Sequence, residues 1–149
     1  MIYLASPYTN PDPEVRAGRA MAATMVTAEL LSRGAEVFSP IVYSRALADF
    51  GLPTDWGFWA GIDTAFLEIC EALWILELDG WRVSVGVQDE YAAALARRIP
   101  VRFVFQPRRD WSPDGGLASW GTSIWLPGED PLDGNFDKPW RGLPLAPQP

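Results

Sequence analysis

Short apolar segments alternate with longer segments of helical period through the first two thirds of the chain, and this alternation constrains the fold most. Four segments have the length and composition of strands, at residues 2–6, 35–40, 72–78 and 101–105. Strands that alternate with helices form βαβ units around a parallel sheet. The sequence therefore predicts an α/β fold, a three-layer, flavodoxin-like or Rossmann-like parallel sheet of four to five strands.

The first predicted helix has clear signals at both ends. Asp12 is placed to cap it and Pro13 to occupy its first position, while Gly34 lies where a helix stops. Between these ends, apolar residues recur at a spacing of three to four positions, at Met21, Met25, Ala28 and Leu31. This period predicts a helix between the first two strands.

The other two predicted helices have weaker signals. Residues 41–61 show no clear period, which predicts an irregular connection, and a helix follows over residues 62–71, with Asp63 at its opening turn. The last helix follows the small-residue stretch SVGVQDE, and we expect Asp89 and Glu90 in its first turn. Backbone N–H groups and the helix dipole would keep a carboxylate ionised there.

The composition changes after Gln106. Residues 107–149 hold eight of the fourteen prolines and four of the eight tryptophans. Tryptophan side chains favour burial, so we predict an irregular Trp/Pro-rich arm that packs on the α/β domain of residues 1–106 or on a neighbouring subunit. Within it, the stretch TSIWLPG is the candidate for a fifth strand.

Composition also argues against several classes of function. A net charge of −7 disfavours a polymeric nucleic acid as a partner, because duplex binding needs a basic face. The chain has no histidine and one cysteine, Cys70, so we expect neither a metal site nor an internal disulfide. The sequence shows no apolar run of the ~18 residues that span a bilayer, and its start lacks the pattern of a signal peptide. We therefore expect a cytoplasmic protein without a membrane partner.

Carboxylates remain as the candidates for chemistry. In open α/β sheets, ligands bind beyond the carboxyl ends of the strands, where ASPYT, SPIVYS and DGWRVSVGVQDE would converge. Two carboxylates that flank a reacting carbon can cleave a glycosidic bond without histidine, and Glu90 and Asp63 both belong near this crevice. Each acid also has a structural interpretation, since Glu90 and Asp89 could complement a helix dipole and Asp63 could cap its helix.

Other residues near the crevice leave similar alternatives open. Trp56 and Trp59 could stack a base or belong to the core, and the latter is the commoner use of an aromatic residue. Cys70 has the surroundings of a small buried hydrophobic residue. The spacing of Ser84 and Gly86 is too short for a dinucleotide fingerprint and is compatible with a simple loop.

Four elements of the sequence together carry a resemblance to a known family. They are IYLASPYT at the start, AEVFSPI on the second strand, Asp63 eight residues before the EAL of the third strand, and SVGVQDE. With these, residues 1–105 resemble the nucleoside 2-deoxyribosyltransferase-like family, which includes transferases and N-glycosidases that exchange or cleave a base–sugar bond. The most specific element is the Ser-x-Gly-x-x-x-Glu pattern of Ser84, Gly86 and Glu90.

The resemblance implies a role for each matched residue. The glutamate in the place of Glu90 is the nucleophile or faces the anomeric carbon, and the aspartate in the place of Asp63 is the general acid/base. The tyrosine in the place of Tyr3 helps to orient that site. Ser84 stands where nucleoside transferases carry an aspartate for the 5′-hydroxyl and where nucleotide hydrolases carry a serine for the 5′-phosphate.

A serine at this position favours a phosphorylated substrate, because a carboxylate would repel a phosphate. The resemblance thus implies an N-glycosidase for a (deoxy)nucleoside 5′-monophosphate, with Ser6, Arg19 and Gly86 as further substrate-binding candidates. Gln88 replaces a glycine that is frequent in the family, and we expect it to narrow the pocket.

The family comparison also implies that no cofactor is needed and that the protein is a homodimer or a higher homo-oligomer, with a neighbouring subunit completing the site. Three alternatives stay open. The protein could be a 2-deoxyribosyltransferase for unphosphorylated nucleosides, a non-catalytic nucleotide sensor on the same fold, or an assembly module that works through its tryptophan-rich arm.

Overall fold

The computed structural model describes residues 1–104, which form a four-stranded, fully parallel sheet with helices on both faces. The strands β1 to β4 are Ile2–Ala5, Val37–Phe38, Ala72–Leu76 and Val101–Val104. The helices α1 to α4 are Pro13–Ser32, Pro40–Ala48, Trp56–Glu68 and Val85–Ala96, and a single 3₁₀ turn at Trp81–Val83 precedes α4. The predicted α/β fold is confirmed. The C-terminal arm of residues 107–149 and the possible fifth strand lie outside the described residues.

The order of the strands creates a crevice at the centre of the sheet. The order is β2-β1-β3-β4, so the chain leaves β1 toward one edge and returns to pair β3 with the other side of β1. Ile2 lies opposite Val37 on one side and opposite Ala72 on the other. Loops after β1 and β3 therefore diverge to opposite faces, and this switch point is where ligands bind in such sheets.

Alternating side chains divide the core into two layers. Ile2 and Leu4 point to the face that α1 covers, where they pack with Val26 and Leu30. The intervening residue Tyr3 points to the opposite face, which α3 and α4 cover. Both faces of β1 are thus buried, as expected for a central parallel strand.

The first helix is confirmed. Asp12 caps α1 by accepting a hydrogen bond from the backbone N–H of Glu14, and Pro13 occupies the first position. Met21 and Leu31, which contribute to the apolar period, are exposed, whereas the neighbouring stripe is buried, at Ala20, Ala22, Ala23, Val26, Thr27 and Leu30. Val26 and Leu30 of this stripe pack against the sheet.

Three differences from the predictions concern the segments that supply the candidate site. Residues 41–61 are not an irregular connection, because they contain most of α2 and the first two turns of α3. Helix α3 begins at Trp56 and is capped by Asp55, so Asp63 lies in the middle of the helix and caps nothing. Helix α4 begins at Val85, which places Glu90 in the second turn rather than in the first.

The described helices include none that is long and apolar enough to cross a membrane. Cys70 is buried, as predicted, and lies just after the end of α3.

Candidate active site

A cavity lies at the switch point of the sheet, beyond the carboxyl ends of β1 and β3. It encloses about 700 Å³ of space between atoms, including its open mouth. Its walls come from the loop after β1, from α2, from residues 53–55, from α3 and from the start of α4. The predicted site residues Ser6, Asp63, Ser84, Gly86 and Glu90 all line it.

Glu90 lines this cavity from the second turn of α4, and its carboxyl group is hydrogen-bonded to a residue of β1. The Tyr3 hydroxyl donates a hydrogen bond of 2.6 Å to Glu90 Oε1. Tyr3 is fully buried and Glu90 keeps 6 % of its surface exposed. The predicted pairing of these two residues in one site is therefore present, although Tyr3 lies behind the cavity wall rather than on it.

The charge state of Glu90 differs from the prediction. We expected the start of the helix to keep this carboxylate ionised, but the helix begins five residues earlier, at Val85. Burial raises the pKa of Glu90 to about 8, against the lowering effect of the Tyr3 hydrogen bond, and the charges of Asp63 and Asp89 raise it further. Desolvation acts on the whole side chain, whereas the dipole acts mainly on the first turn, so burial decides the outcome.

Asp63 is the second buried carboxyl group of the cavity. It lies in the middle of α3 with 5 % of its surface exposed, and its Oδ1 atom has no hydrogen-bond partner within residues 1–104. Burial raises the pKa of Asp63 to about 6. Buried polar atoms in folded proteins are nearly always hydrogen-bonded, so this oxygen is a candidate contact for a ligand.

Ser6 directly follows β1, and Ser84 lies between the 3₁₀ turn and α4, on the other side of the crevice. The Ser6 hydroxyl oxygen is buried and, like that of Asp63, finds no partner in the described part of the chain. Ser84 occupies the N-cap position of α4, yet among the described residues its side chain makes no capping hydrogen bond. The first turn of α4, Val85–Gln88, carries no acid, and its N–H groups that precede Gln88, whose own N–H donates to the Ser84 carbonyl at 3.0 Å, are suited to an anion.

Gly86 has a specific packing reason to be glycine. A Cβ atom at this position would lie 3.1 Å from Cε3 of Trp56, whose six-membered ring packs against the first turn of α4. The Trp56 Nε1–H donates a hydrogen bond of 2.7 Å to Asp89 Oδ2. Asp89 is therefore not only a solvated acid near a helix start, because it fixes an indole that lines the cavity.

Arg19 is the candidate that the structure separates from the others. Its guanidinium donates to the backbone carbonyl oxygens of Tyr8, Thr9 and Asp79, with the bond to Thr9 at 2.8 Å. These contacts join the loop after β1 to the loop after β3. Arg19 does not belong to the cavity lining, although Tyr8 and Thr9 do, so it supports the wall of the site from outside.

Helix α2 supplies a cavity wall that the sequence interpretation missed. Arg45 is the one basic side chain that lines the cavity among the described residues, and it lies 3.6 Å from Asp49 in a half-exposed ion pair. The sequence does contain a signal for this helix, since Ser39 followed by Pro40 is a typical N-cap and first helical residue.

Gln88 does not narrow the pocket as predicted. Its side-chain amide donates to the backbone carbonyl of Trp81 at 3.3 Å, which turns it away from the cavity toward the 3₁₀ turn. Within residues 1–104, no group of three histidine, cysteine, aspartate or glutamate side chains lies close enough to hold a metal ion.

The fold and the site together define a class: a three-layer α/β protein with two buried carboxyl groups in a cavity at the switch point of its sheet. The chain belongs to the family described as a domain of unknown function, DUF1937, whose model matches residues 1–106. A comparison with curated proteins gives no match.

Proposed function

We propose that this protein is an N-glycosidase that cleaves the bond between the base and the sugar of a (deoxy)nucleoside 5′-monophosphate. The observation that carries the proposal is the pair of buried carboxyl groups, Glu90 and Asp63, which line one cavity at the switch point of the sheet. The sequence resemblance described above supports the same chemistry, because its three implied catalytic residues are Glu90, Asp63 and Tyr3.

The two carboxyl groups are suited to hold a single proton between them near neutral pH. Glu90 has a pKa of about 8 and Asp63 of about 6, so between these values Glu90 holds the proton and Asp63 carries the negative charge, and the proposed reaction begins with transfer of this proton from Glu90 to Asp63. Cleavage of a glycosidic bond needs both forms at once: an acid for the departing base and a carboxylate for the developing cation at the anomeric carbon.

The proposed reaction balances with these groups and one water molecule. The C1′–N bond breaks and its electron pair goes to the base nitrogen, which takes the proton of the carboxyl pair through Asp63. Glu90, then ionised, attacks or stabilises C1′, and the Tyr3 hydrogen bond favours this ionised form. Water finally adds a hydroxyl group to C1′, which breaks the C1′–oxygen bond to Glu90 where one has formed, and the proton left from the water returns to the carboxyl pair.

The phosphate end of the substrate is assigned to the loop after β1 and to the start of α4. Ser6 and Ser84 both line the cavity, and the first turn of α4 adds backbone N–H groups. Arg45 supplies a positive charge on the α2 wall of the cavity. No cofactor enters this reaction.

The experiment that tests the proposal is incubation of the full chain with a panel of ribo- and deoxynucleoside 5′-monophosphates and the matching nucleosides. Chromatography would then follow the free base. Release of base from a monophosphate supports the proposal. Release only from unphosphorylated nucleosides, with transfer to a second base, would favour a deoxyribosyltransferase. Binding of a nucleotide without release of base would favour a sensor.

We also propose that the protein forms a homo-oligomer. Helices α1 and α3 and the residue after α3 expose large apolar side chains, among them Met21, Leu31, Ile62 and Ile69. Interfaces between the subunits of homodimers are more apolar than the rest of a protein surface. Light scattering of the full chain measures the oligomeric state directly, and a monomer at all concentrations would contradict this proposal.

A further inference from the structure

The position of Trp56 is fixed by two contacts that are independent of each other. Its Nε1–H donates to Asp89 Oδ2 at 2.7 Å, and its six-membered ring packs on Gly86 so closely that a Cβ there would come within 3.1 Å. Both partners belong to α4, whereas Trp56 is the first residue of α3. The indole is therefore held between two helices while it lines the cavity.

This arrangement differs from that of an indole that only fills the core. Trp56 is half-buried, and its hydrogen bond is to an exposed acid at the surface. The neighbouring Trp59 is 7 % exposed, donates to the Pro53 carbonyl at 2.7 Å, and also lines the cavity. The two indoles together form an aromatic wall whose ring positions are set before any ligand binds.

The aromatic wall and Asp63 lie along one side of α3. Trp56, Trp59 and Asp63 are spaced at positions i, i+3 and i+7, which places them on the same face of a helix. A flat ring against the wall would thus extend toward the carboxyl group that we assign to proton delivery. The hydroxyl groups assigned to the phosphate, on Ser6 and Ser84, belong to other elements of the cavity.

We propose that Trp56 is the residue against which the aromatic base of the substrate stacks, and that Asp89 and Gly86 are positioning residues that hold its indole. This inference rests on the proposed function for the nature of the ligand, a nucleotide, but not for its cleavage. A ring that is already fixed loses little side-chain entropy when a base stacks on it. Stacking also suits a site that must hold the base while the bond to the sugar breaks.

The test is calorimetric titration of the full chain in the Glu90→Gln background, in which the ligand stays intact. The probes are nucleoside monophosphates and, as a ligand without a base, ribose 5-phosphate and its 2-deoxy form. Trp56→Leu removes the ring on which the base stacks. We therefore expect the affinity for the monophosphate to fall roughly 5- to 150-fold, while the affinity for the sugar phosphate is unchanged. Trp56→Phe should restore most of the affinity, and Phe50→Leu, at an exposed aromatic residue outside the cavity lining, should have no effect.

The role of Asp89 is tested by a double-mutant cycle. Asp89→Ala should weaken monophosphate binding several-fold when residue 56 is tryptophan. It should add nothing when Trp56 is replaced by phenylalanine, which has no N–H to donate. An equal effect in both backgrounds would show that Asp89 acts through general stability instead, and would overturn its assignment. Gly86→Ala, which displaces the indole, should resemble Trp56→Leu.

The outcomes separate this inference from the proposed function. Unchanged monophosphate binding in Trp56→Leu, or an equal loss of sugar-phosphate binding, would overturn the stacking role even if the wild-type protein releases base. A selective loss of monophosphate binding would uphold the stacking role even if the wild-type protein releases none. If no monophosphate binds to the wild-type chain or to the Glu90→Gln variant, both proposals fail.

Discussion

The Tyr3 hydroxyl donates a 2.6 Å hydrogen bond to Glu90 Oε1 and so connects the first strand of the sheet to the second turn of α4. Eighty-seven positions of sequence separate the two residues. Both side chains are buried, so water competes little for either group. The bond favours the ionised form of Glu90 and acts against the effect of burial on its pKa.

Replacement of Tyr3 should therefore shift the pH dependence of catalysis. If one proton on the carboxyl pair is required, kcat/KM should fall below about pH 6 and above about pH 8, the pKa values of Asp63 and Glu90. Tyr3→Phe removes the group that lowers the pKa of Glu90, so the alkaline limb should move to higher pH. A pH profile of kcat/KM for both proteins measures the shift. Because a nucleotide phosphate titrates near pH 6 itself, the alkaline limb is the informative one, and an unchanged limb would contradict this role for Tyr3.

Stability should fall as the pH rises through the titration of Glu90. The carboxyl group titrates at 4.5 when unperturbed and at about 8 in the folded protein. Between these values the unfolded chain binds fewer protons than the folded chain, so the free energy of unfolding decreases with pH, by about 1.4 kcal/mol for each pKa unit.

Glu90→Gln removes this titration. We expect the variant to be more stable than the wild type by several degrees of Tm at about pH 9, and little different at about pH 4.5. Glu14→Gln, at an exposed position of α1, is the matched control and should track the wild type at both values. If Tm depends on pH in the same way for the wild type and for Glu90→Gln, burial does not raise the pKa of the Glu90 carboxyl group.

Replacement of Asp63 should reduce the rate of cleavage most for substrates whose base is a poor leaving group. Because its proposed task is to deliver a proton to the departing base, Asp63→Asn should slow poor leaving groups by roughly 100-fold or more. An activated base needs less protonation and should be slowed less. Measuring kcat for a matched pair of substrates distinguishes the roles: an equal slowing of both would remove Asp63 from the acid role.

Ser84 and Arg45 should act on phosphorylated substrates in particular. The loss of a hydrogen bond to a charged group predicts that Ser84→Ala lowers kcat/KM for the monophosphate by roughly 10–150-fold, with little change for the nucleoside. Arg45→Gln should raise KM for the monophosphate and reduce its dependence on salt, since a charge is lost from the cavity wall.

Arg19→Gln is the comparison for these two variants. The guanidinium of Arg19 binds three backbone carbonyl oxygens. We therefore expect the variant to have a lower Tm and similar losses of kcat/KM for the nucleoside and the monophosphate. A selective loss of monophosphate activity in Arg19→Gln would instead support the sequence-based prediction that Arg19 binds the substrate.

The sequence predicts the fold well because the signals for it are local. Each strand is a short apolar run between turn residues, and Asp12 with Pro13 marks the start of α1 within two positions. The period of α1 predicts a helix but not its buried side, because Met21 and Leu31, which contribute to that period, are exposed, while Val26 and Leu30 pack against the sheet.

The site is only partly visible in the sequence. The pattern of Ser84, Gly86 and Glu90 identifies the segment, and the three residues do line one cavity. Their charge and packing depend on contacts that cross the fold. Burial, not helix position, sets the pKa of Glu90, and the indole of Trp56 explains the glycine at position 86. No local pattern contains these relationships, because each joins elements that are distant in sequence.

The most direct test of the account is the rate of base release by Glu90→Gln. Amide and carboxylic acid have nearly the same shape, so Tyr3 can still donate to the residue at position 90 and the fold should be retained. We predict a loss of at least ~100-fold in turnover of the monophosphate that the wild-type chain cleaves, the scale expected for a key catalytic carboxylate. Base release at the wild-type rate by a folded Glu90→Gln protein would contradict the assignment of this site.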